Sequence, residues 1–334
     1  MKTVFFGELL LRLSPPEHQR FLQSSAFRCH IGGAEANAAL ALAQMGEECA
    51  LVTTLPRHEL GQMALNELRR YGVETGEIQR ADGRMGLYFL ENGASQRASS
   101  VIYDRRNSTA AEADPACYDW ERILAGADWF HFTGITAAIS ENAAQSCLDA
   151  VRAARRLGVR VSCDLNYRAN LWSPQRAGEV MGGLLPFCDL LIANVEHAGL
   201  LFGIRSAHSG RQELEDVSAA LAARFGCRMV AVTLREGDSA SENTCGAMLW
   251  DASNEKAVYS RSYHIQIVDR IGGGDAFDAG LLYGLGQGWD AQRIVEFAMA
   301  SSALKHSVEG DFGIASAAEI AALAESGSAG RVRR

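Results

Sequence analysis

The sequence predicts an α/β fold in which a central, mostly parallel β-sheet is flanked by helices. From residue 128 onward, short strand-like runs alternate regularly with helical runs, a pattern typical of parallel sheets that are covered on both faces. The chain has 334 residues, 48% of them hydrophobic, which is enough to bury one large core or two smaller ones. Both observations favour an α/β protein of substantial size.

The first third of the chain predicts two β-α pairs followed by a hairpin. Strands are expected at residues 3–11 and 48–55, and helices at 32–46 and 58–72, each helix ending at a glycine. Residues 85–105 differ, because two β-rich runs flank the turn sequence ENGAS, whose Asn-Gly pair is a hairpin signal.

The remaining elements follow the alternation. Strands are expected at 128–134, 159–165, 188–194 and 228–234, and a β pair at 245–251 and 256–263. Helices are expected at 140–157, near 175–185, and at 195–203, 211–226, 275–287, 290–305 and 316–325.

We expect a single domain over residues 1–325 with one small accessory sheet. The strands of this sheet, here called the lid, come from about residues 10–30 and 85–108. The final residues, 326–334, are expected to form a disordered tail.

Composition excludes several classes of protein. The net charge of −8 argues against broad nucleic-acid binding, although it allows a small anion in a local basic pocket. Eight cysteines without a C-x-x-C pair indicate reduced thiols in the cytoplasm rather than a disulfide framework or a zinc site. No apolar run approaches 18 residues, and Glu8 and Arg12 interrupt the first one, so neither a membrane span nor a signal peptide is expected.

The densest glycine stretch predicts an anion-binding site. Gly272, Gly273 and Gly274 precede Asp275 and a helical run. Amides at a helix start attract anions, and glycines let a phosphate approach the backbone closely. A carboxylate beside such a site suggests a base that takes a proton from an attacking hydroxyl. We expect the helix end to favour ionised Asp275 and to give it a low pKa.

Other interpretations of this stretch remain open. Asp275 can instead be the N-cap of an ordinary glycine turn. The P-loop pattern G-x-x-x-x-G-K-[ST] is absent, and no G-x-G-x-x-G follows an N-terminal strand, which disfavours a nicotinamide dehydrogenase.

The stretch Asp269 to Asp275, DRIGGGD, resembles the D-T-x-G-A-G-D signature of the ribokinase-like (pfkB) sugar kinases. Arg270 stands in place of the Thr and Gly273 in place of the Ala. A second landmark of the family, an N-terminal Gly-Gly, is present in IGGAEANAALALAQMG at 31–46. The two motifs bracket most of the chain, and the resemblance implies a ribokinase-like fold.

Within the family the chain is most similar to kinases of 2-keto-3-deoxygluconate. This similarity rests on GGAEAN (32–37), YDRRNSTAA (103–111), GITAAIS (134–140) and DLNYRANLWSP (164–174). It implies Asp275 as the catalytic base, an anion hole at Gly272 to Gly274, and sugar-acid contacts from Gly33, Tyr88, Tyr103, Arg105 and Arg168. Residues on the nucleotide side would be Asn166, Asn194, Thr233, Arg235, Gly237, Gly272 and Gly274.

The residue types agree in part with these roles. The planar donor fork of arginine suits a carboxylate. Arg168 follows the strand 159–165, so it is expected at the carboxyl edge of the sheet, where ligands of open α/β folds bind. Asn37 can add an amide one helical turn after Gly33. The alternatives are surface salt bridges for the two arginines and hairpin packing for the two tyrosines.

One family motif is altered. The pattern N-x-x-E stands here as Asn194-Val195-Glu196-His197. Glu196 is one residue early, and one residue on a helix means about 100° of rotation, so Glu196 is not expected to substitute. We therefore assign no protein ligand to Mg²⁺, which we expect to be bound through phosphates and water.

The resulting hypothesis is ATP-dependent phosphorylation of 2-keto-3-deoxygluconate to its 6-phosphate, with Mg²⁺. The alternatives are a kinase of a neutral sugar, such as fructose or ribose, and a non-catalytic sugar-acid sensor. The expected partners are ATP and a small sugar acid, not nucleic acid or membrane. Exposed lid strands further suggest a homodimer or higher homo-oligomer. The sequence leaves open the gluconate or galactonate epimer, the open-chain or cyclic form, and the nucleotide preference.

Overall fold

The computed structural model describes residues 1–237 and 239–326. Its strands are β1 Lys2–Phe6, β2 Leu10–Ser14, β3 Arg28–Gly32, β4 Glu48–Pro56, β5 Ile78–Ala81, β6 Gly86–Glu91, β7 Ser100–Asp104, β8 Trp129–Thr133, β9 Arg160–Asp164, β10 Leu190–Ala193, β11 Met229–Glu236, β12 Glu242–Asp251, β13 Lys256–Tyr259 and β14 Tyr263–Gln266. Its α-helices are α1 Ala34–Gln44, α2 Glu59–Arg70, α3 Thr109–Glu112, α4 Trp120–Leu124, α5 Gly134–Ala138, α6 Glu141–Leu157, α7 Pro174–Leu184, α8 Val195–Phe202, α9 Arg211–Phe225, α10 Gly273–Gly286, α11 Ala291–Lys305 and α12 Ala317–Ser326.

A large sheet forms the centre of the molecule, in the order β13-β12-β11-β10-β9-β8-β1-β4-β5, with β14 also paired to β12. Strands from β11 through β5 in this order pair in parallel, and β12, β13 and β14 add an antiparallel edge. The predicted fold class, a mostly parallel sheet with flanking helices, is confirmed.

Apolar cores fill both faces of the large sheet. On β1, Val4 and Phe6 pack in one core and Phe5 in the other, as expected for side chains that alternate across a strand. The Phe5 side is covered by α1, α10 and α11, and the opposite side by α6 and α9. Strands buried on both faces are near-continuous hydrophobic runs, which is why the sequence revealed them.

The lid is a separate four-stranded sheet in the order β3-β2-β6-β7. β2 and β6 pair in parallel, and β3 and β7 flank them antiparallel. These strands fall in or next to the two segments expected to form the lid. The predicted single domain over 1–325 stays a prediction, and the predicted tail lies outside the described residues beyond Ser326.

Two strand predictions were wrong in detail, and one strand was missed. The single strand expected at 3–11 is two strands, β1 in the large sheet and β2 in the lid. The chain changes sheet at Gly7, where a Cβ would lie 2.0 Å from an oxygen of Glu35. The strand expected at 256–263 likewise divides into β13 and β14, and the short edge strand β5 was not predicted. None of the described helices is both long and apolar enough to cross a membrane.

Candidate active site

A cleft of about 380 Å³ is lined by the lid, the carboxyl end of β9 and the starts of α1 and α10. Parallel strands place their carboxyl ends on one edge of a sheet, the usual ligand site of open α/β folds. Many residues predicted from the sequence line it: Gly33, Asn37, Tyr88, Tyr103, Arg105, Asn166, Arg168, Arg235, Gly272, Gly273, Gly274 and Asp275.

A smaller cavity of about 200 Å³ adjoins the cleft and shares Asp164, Asn166, Arg168 and Gly274 with it. The predicted nucleotide-side residues Asn194 and Thr233 line this cavity. Gly237 lines neither space. It has φ +140°, and a Cβ there would lie 2.7 Å from the side-chain nitrogen of Asn243, so its visible role is in the turn between β11 and β12.

Asp275 lies on the first turn of α10 and faces the cleft. Its Oδ2 accepts a hydrogen bond of 2.7 Å from Nδ2 of Asn37, and Oδ1 of Asn37 accepts one of 3.2 Å from the Gly33 amide. The helix is capped by Gly272 without any side-chain hydrogen bond, so Asp275 is not an N-cap. Asn37 lines the cleft and its side chain also holds the Asp275 carboxylate, so its contact with the sugar stays a prediction.

The expectation of a low pKa for Asp275 was wrong. Burial raises its pKa to about 7, and the nearby carboxylates of Asp164, Glu35 and Asp311 act in the same direction. The hydrogen bond from Asn37 opposes this shift without cancelling it. The effect of lost hydration on the pKa therefore outweighs the effect of the helix end. The resulting pKa of Asp275 is near neutral pH, where a general base is most effective.

The glycines at the start of α10 are required by close packing at two positions. Gly272 has φ +84°, and a Cβ there would lie 1.9 Å from the backbone oxygen of Asp311. At Gly273 a Cβ would lie 2.3 Å from the His306 ring, whereas at Gly274 it would meet nothing within 4 Å. The first amides of a helix lack intrahelical partners, so this loop presents donors and open space to an anion.

A buried ionic network lies behind the glycine loop. Arg12 of β2 contacts Oδ2 of Asp269 at 2.7 Å and Oδ1 of Asp311 at 2.8 Å, and it is 1% exposed. The Tyr88 hydroxyl donates to Asp311, and Nζ of Lys305 donates to the backbone oxygen of Gly310 at 2.6 Å. This network ties the lid to the first residue of the signature motif. Its one visible sign in the sequence is the arginine within the apolar run of β2.

Arg105 is paired within the protein. Its Nε donates to Oε2 of Glu8 at 2.8 Å, the same carboxylate accepts from Ser108, and both charged groups are largely buried. The Arg105 guanidinium also lies 5.8 Å from the Tyr103 ring centre. Sequence reasoning missed Glu8, which neutralises this arginine at the edge of the cleft.

Unpaired cations remain on the cleft wall. Among the described residues, the guanidinium groups of Arg168 and Arg235 form no hydrogen bond or ion pair, and both line the cleft. Arg270 also lines it, and burial lowers its pKa with a further contribution from Arg235. Crowded positive charge of this kind favours an anionic ligand.

The altered N-x-x-E motif lies at the smaller cavity, which Asn194 and His197 line. Asn194 caps α8, because its Oδ1 accepts from the amides of Glu196 at 2.7 Å and His197 at 3.4 Å. His197 lines the cavity with its ring 5.4 Å from the Tyr167 ring, whereas Glu196 is exposed and lines neither space. Glu196 therefore does not replace the missing carboxylate. Within residues 1–237 and 239–326, no three His, Cys, Asp or Glu side chains cluster as a metal site.

Comparison with known proteins agrees with this geometry. The family model for pfkB family carbohydrate kinases matches residues 2–314. The structure of a 2-dehydro-3-deoxygluconokinase from Thermotoga maritima is 45% identical, with a TM-score of 0.95 and 98% of each chain covered. A 2-dehydro-3-deoxygalactonokinase from Haloferax volcanii is 32% identical over 332 residues, which is 98% of each chain.

A further solved structure, of a putative 2-keto-3-deoxygluconate kinase from Enterococcus faecalis, is 27% identical with a TM-score of 0.94. The match covers 100% of this chain and 99% of the chain from Enterococcus faecalis. These matches run over both signature motifs and the lid, so the resemblance inferred from DRIGGGD and the N-terminal Gly-Gly is confirmed. The chain belongs to the pfkB family of carbohydrate kinases.

Proposed function

We propose that the protein transfers the γ-phosphoryl group of ATP to the terminal hydroxyl of 2-keto-3-deoxygluconate. The observation that carries this proposal is Asp275, a buried carboxylate oriented by Asn37 and placed directly after an anion-binding glycine loop. The relatives from Thermotoga maritima and Enterococcus faecalis bear the name of this activity, with 2-dehydro as a synonym of 2-keto.

The reaction follows from the placement of these groups. The substrate hydroxyl oxygen attacks the γ-phosphorus, the bond from the γ-phosphorus to the bridging oxygen of ADP breaks, and Asp275 accepts the hydroxyl proton. With a pKa of about 7, Asp275 is a stronger base than an ordinary aspartate at the same pH. The amides of Gly272 to Asp275 stabilise charge on the transferred group. Mg²⁺, bound to the phosphates, would neutralise further charge.

Arg168 is the better candidate for the substrate carboxylate. It is exposed at the cleft and unpaired among the described residues, whereas Arg105 already neutralises Glu8. An arginine that keeps its internal partner can orient a substrate but adds little net charge. Tyr103 and Arg105 remain proposed sugar contacts from the lid, and Asn166, Asn194, Thr233 and Arg235 remain proposed nucleotide contacts.

A second candidate substrate is the galactonate epimer. It is favoured by one observation, the 32% identical relative named 2-dehydro-3-deoxygalactonokinase. Both epimers carry the carboxylate that Arg168 would bind, so the arginine does not separate them. A kinase of fructose or ribose would have no use for this cation.

A substrate panel tests the proposal. ADP formation would be measured with ATP and Mg²⁺ on 2-keto-3-deoxygluconate, its galactonate epimer, gluconate, fructose and ribose. We expect turnover with one or both keto-deoxy acids and little with fructose or ribose. Arg168→Met should raise KM for the acid, by about tenfold or more, since a hydrogen bond to a charged group contributes about 1.5–3 kcal/mol.

The control for this substitution is Arg176→Met, which removes an exposed arginine of α7 that pairs with Glu141 away from the cleft. It should leave KM unchanged. Preferred turnover of fructose or ribose, or an unchanged KM in Arg168→Met, would contradict the assignment of Arg168. Nucleotide binding without turnover on any substrate would favour the sugar-acid sensor.

We further propose that two copies of the chain pair through their lids in the cytoplasm. β7 is an edge strand whose residues are all exposed, and Val101, Ile102 and Tyr103 present apolar surface there. Exposed edges of this kind are usually covered. The eight free cysteines, most of them buried, support a reducing compartment.

A further inference from the structure

Asp278 is a buried acid that has no hydrogen-bonding partner in the described part of the chain. It is 1% exposed, and neither of its carboxylate oxygens has a hydrogen-bond partner among the described residues. It lies on α10, one turn beyond Asp275. Burial of an unpaired carboxylate costs free energy. The position of Asp278 therefore suggests a ligand that is bound only when the substrates are bound.

Asp278 lines the smaller cavity, together with Asp164 and Asn194. Gly274 lines both this cavity and the cleft, so the two acids lie next to the anion-binding loop. A phosphate held at the loop would be within the same connected space. A phosphate beside two carboxyl groups favours a bound cation, because the phosphate and an ionised carboxylate repel each other.

In the part of the chain that the structure describes, no lysine or arginine forms an ion pair with Asp278 or Asp164. Among the described residues, His131 is the basic group within 4 Å of Asp278, and its Nε2 lies 3.9 Å from Oδ2, too far for a hydrogen bond. Burial lowers the pKa of His131 to about 3, so its ring is neutral at physiological pH. Arg168 also lines the cavity and acts electrostatically on Asp164, but it forms no ion pair with either acid among the described residues.

We propose that Asp278, with Asp164, holds the divalent cation that accompanies the nucleotide, directly or through its water ligands. Mg²⁺ prefers oxygen ligands and is commonly held by one or two carboxylates together with phosphates and water. Asp278 thus supplies, from α10, a carboxylate in the cavity where His197 of α8 supplies none. This inference rests on the nucleotide-binding half of the proposed function and does not depend on which sugar is phosphorylated.

The proposal differs from a purely structural role in two measurable ways. An acid that holds a metal destabilises the protein when metal and nucleotide are absent. Under those conditions Asp278→Asn should therefore have the same melting temperature as wild type or a higher one. A structural acid would instead lower the melting temperature when replaced. Only the metal-holding role predicts weaker binding of the cation when the nucleotide is present.

The experiment measures Mn²⁺ binding to the full chain with saturating ADP and no sugar, by electron paramagnetic resonance of free Mn²⁺. Wild type is compared with Asp278→Asn, with Asp164→Asn as a second variant, and with Glu196→Gln as the matched control. Glu196 is an exposed carboxylate next to His197 that lines neither cavity. The melting temperature of each protein, with and without Mg²⁺ and ADP, is recorded in parallel.

We expect Asp278→Asn and Asp164→Asn to weaken Mn²⁺ binding by about tenfold or more, the usual cost of removing a metal-supporting group. Their stabilisation by Mg²⁺ and ADP should fall, while Glu196→Gln behaves as wild type. Wild-type Mn²⁺ affinity in Asp278→Asn would overturn the proposal, as would a lower metal-free melting temperature with unchanged affinity. Failure of the wild-type chain to bind Mn²⁺ and ADP at all would contradict the proposed function instead.

Discussion

At the scale of single residues, the chemistry of the site depends on the environment of Asp275. The helix start alone would favour the ionised form of this carboxyl group. Burial and the carboxylates of Asp164, Glu35 and Asp311 work against it and raise the pKa to about 7. Among the described side chains that contact it, the hydrogen bond from Asn37 favours the charged form. The base strength of Asp275 is therefore set by its neighbours.

The pH dependence of kcat/KM tests this balance. Since Asp275 must be ionised to accept a proton, activity should fall as the pH drops through about 7. Asn37→Ala removes a hydrogen bond that lowers the pKa, so its acid limb should move to higher pH. The control is Asn66→Ala, which removes an exposed asparagine on α2 that bonds only Gln62. An acid limb below pH 5 in wild type, or no movement in Asn37→Ala, would contradict this account.

At the scale of elements, the lid and the core are joined by one buried arginine. Arg12 lies on β2 of the lid, and its two carboxylate partners lie on the segments before and after the pair α10 and α11. The same segments carry the signature motif and the backbone oxygen of Asp311 against which Gly272 packs. The position of the anion loop and that of the lid are therefore coupled through Arg12.

Loss of Arg12 should lower the free energy of unfolding far more than loss of an exposed arginine in the same sheet. Arg12→Met leaves Asp269 and Asp311 buried without their cation, and breaking such a pair costs about 3–5 kcal/mol. The matched control is Arg28→Met on β3, whose pair with Glu309 is about half exposed and should contribute far less, because water screens exposed ion pairs. Urea unfolding measures both changes, and equal losses in the two variants would refute a special role for Arg12.

At the scale of the whole molecule, the fold was largely predictable and the electrostatics were not. Parallel strands are buried on both faces, so each appears in the sequence as an apolar run between helices. The division of the run 3–11 between two sheets was missed, because β1 and β2 are both buried and mostly apolar. Their sheet assignment depends on partners far away in the chain, which local pattern does not contain.

The predicted residues that line the cleft were identified through motifs, and Glu8 and Asp311, which were missed, stand in none. Asp275 and the glycines stand in a signature, and Arg168 follows a strand at the sheet edge. Glu8 and Asp311 instead act through contacts with residues far away in the sequence. Glu8 accepts from Arg105, 97 positions away, and Asp311 accepts from Arg12, 299 positions away. The raised pKa of Asp275 has the same origin, because burial by distant elements is a tertiary property.

The most direct test of the central claim is the turnover of Asp275→Asn on 2-keto-3-deoxygluconate, with the product identified by ³¹P NMR. Asn keeps the shape of the side chain and an oxygen that can accept from Asn37, but it cannot take a proton. We expect wild type to form the 6-phosphate and Asp275→Asn to lose kcat by a factor of about 10² to 10⁴, the usual contribution of a general base, with nucleotide binding retained. A variant that keeps most of the wild-type kcat would show that Asp275 is not the base.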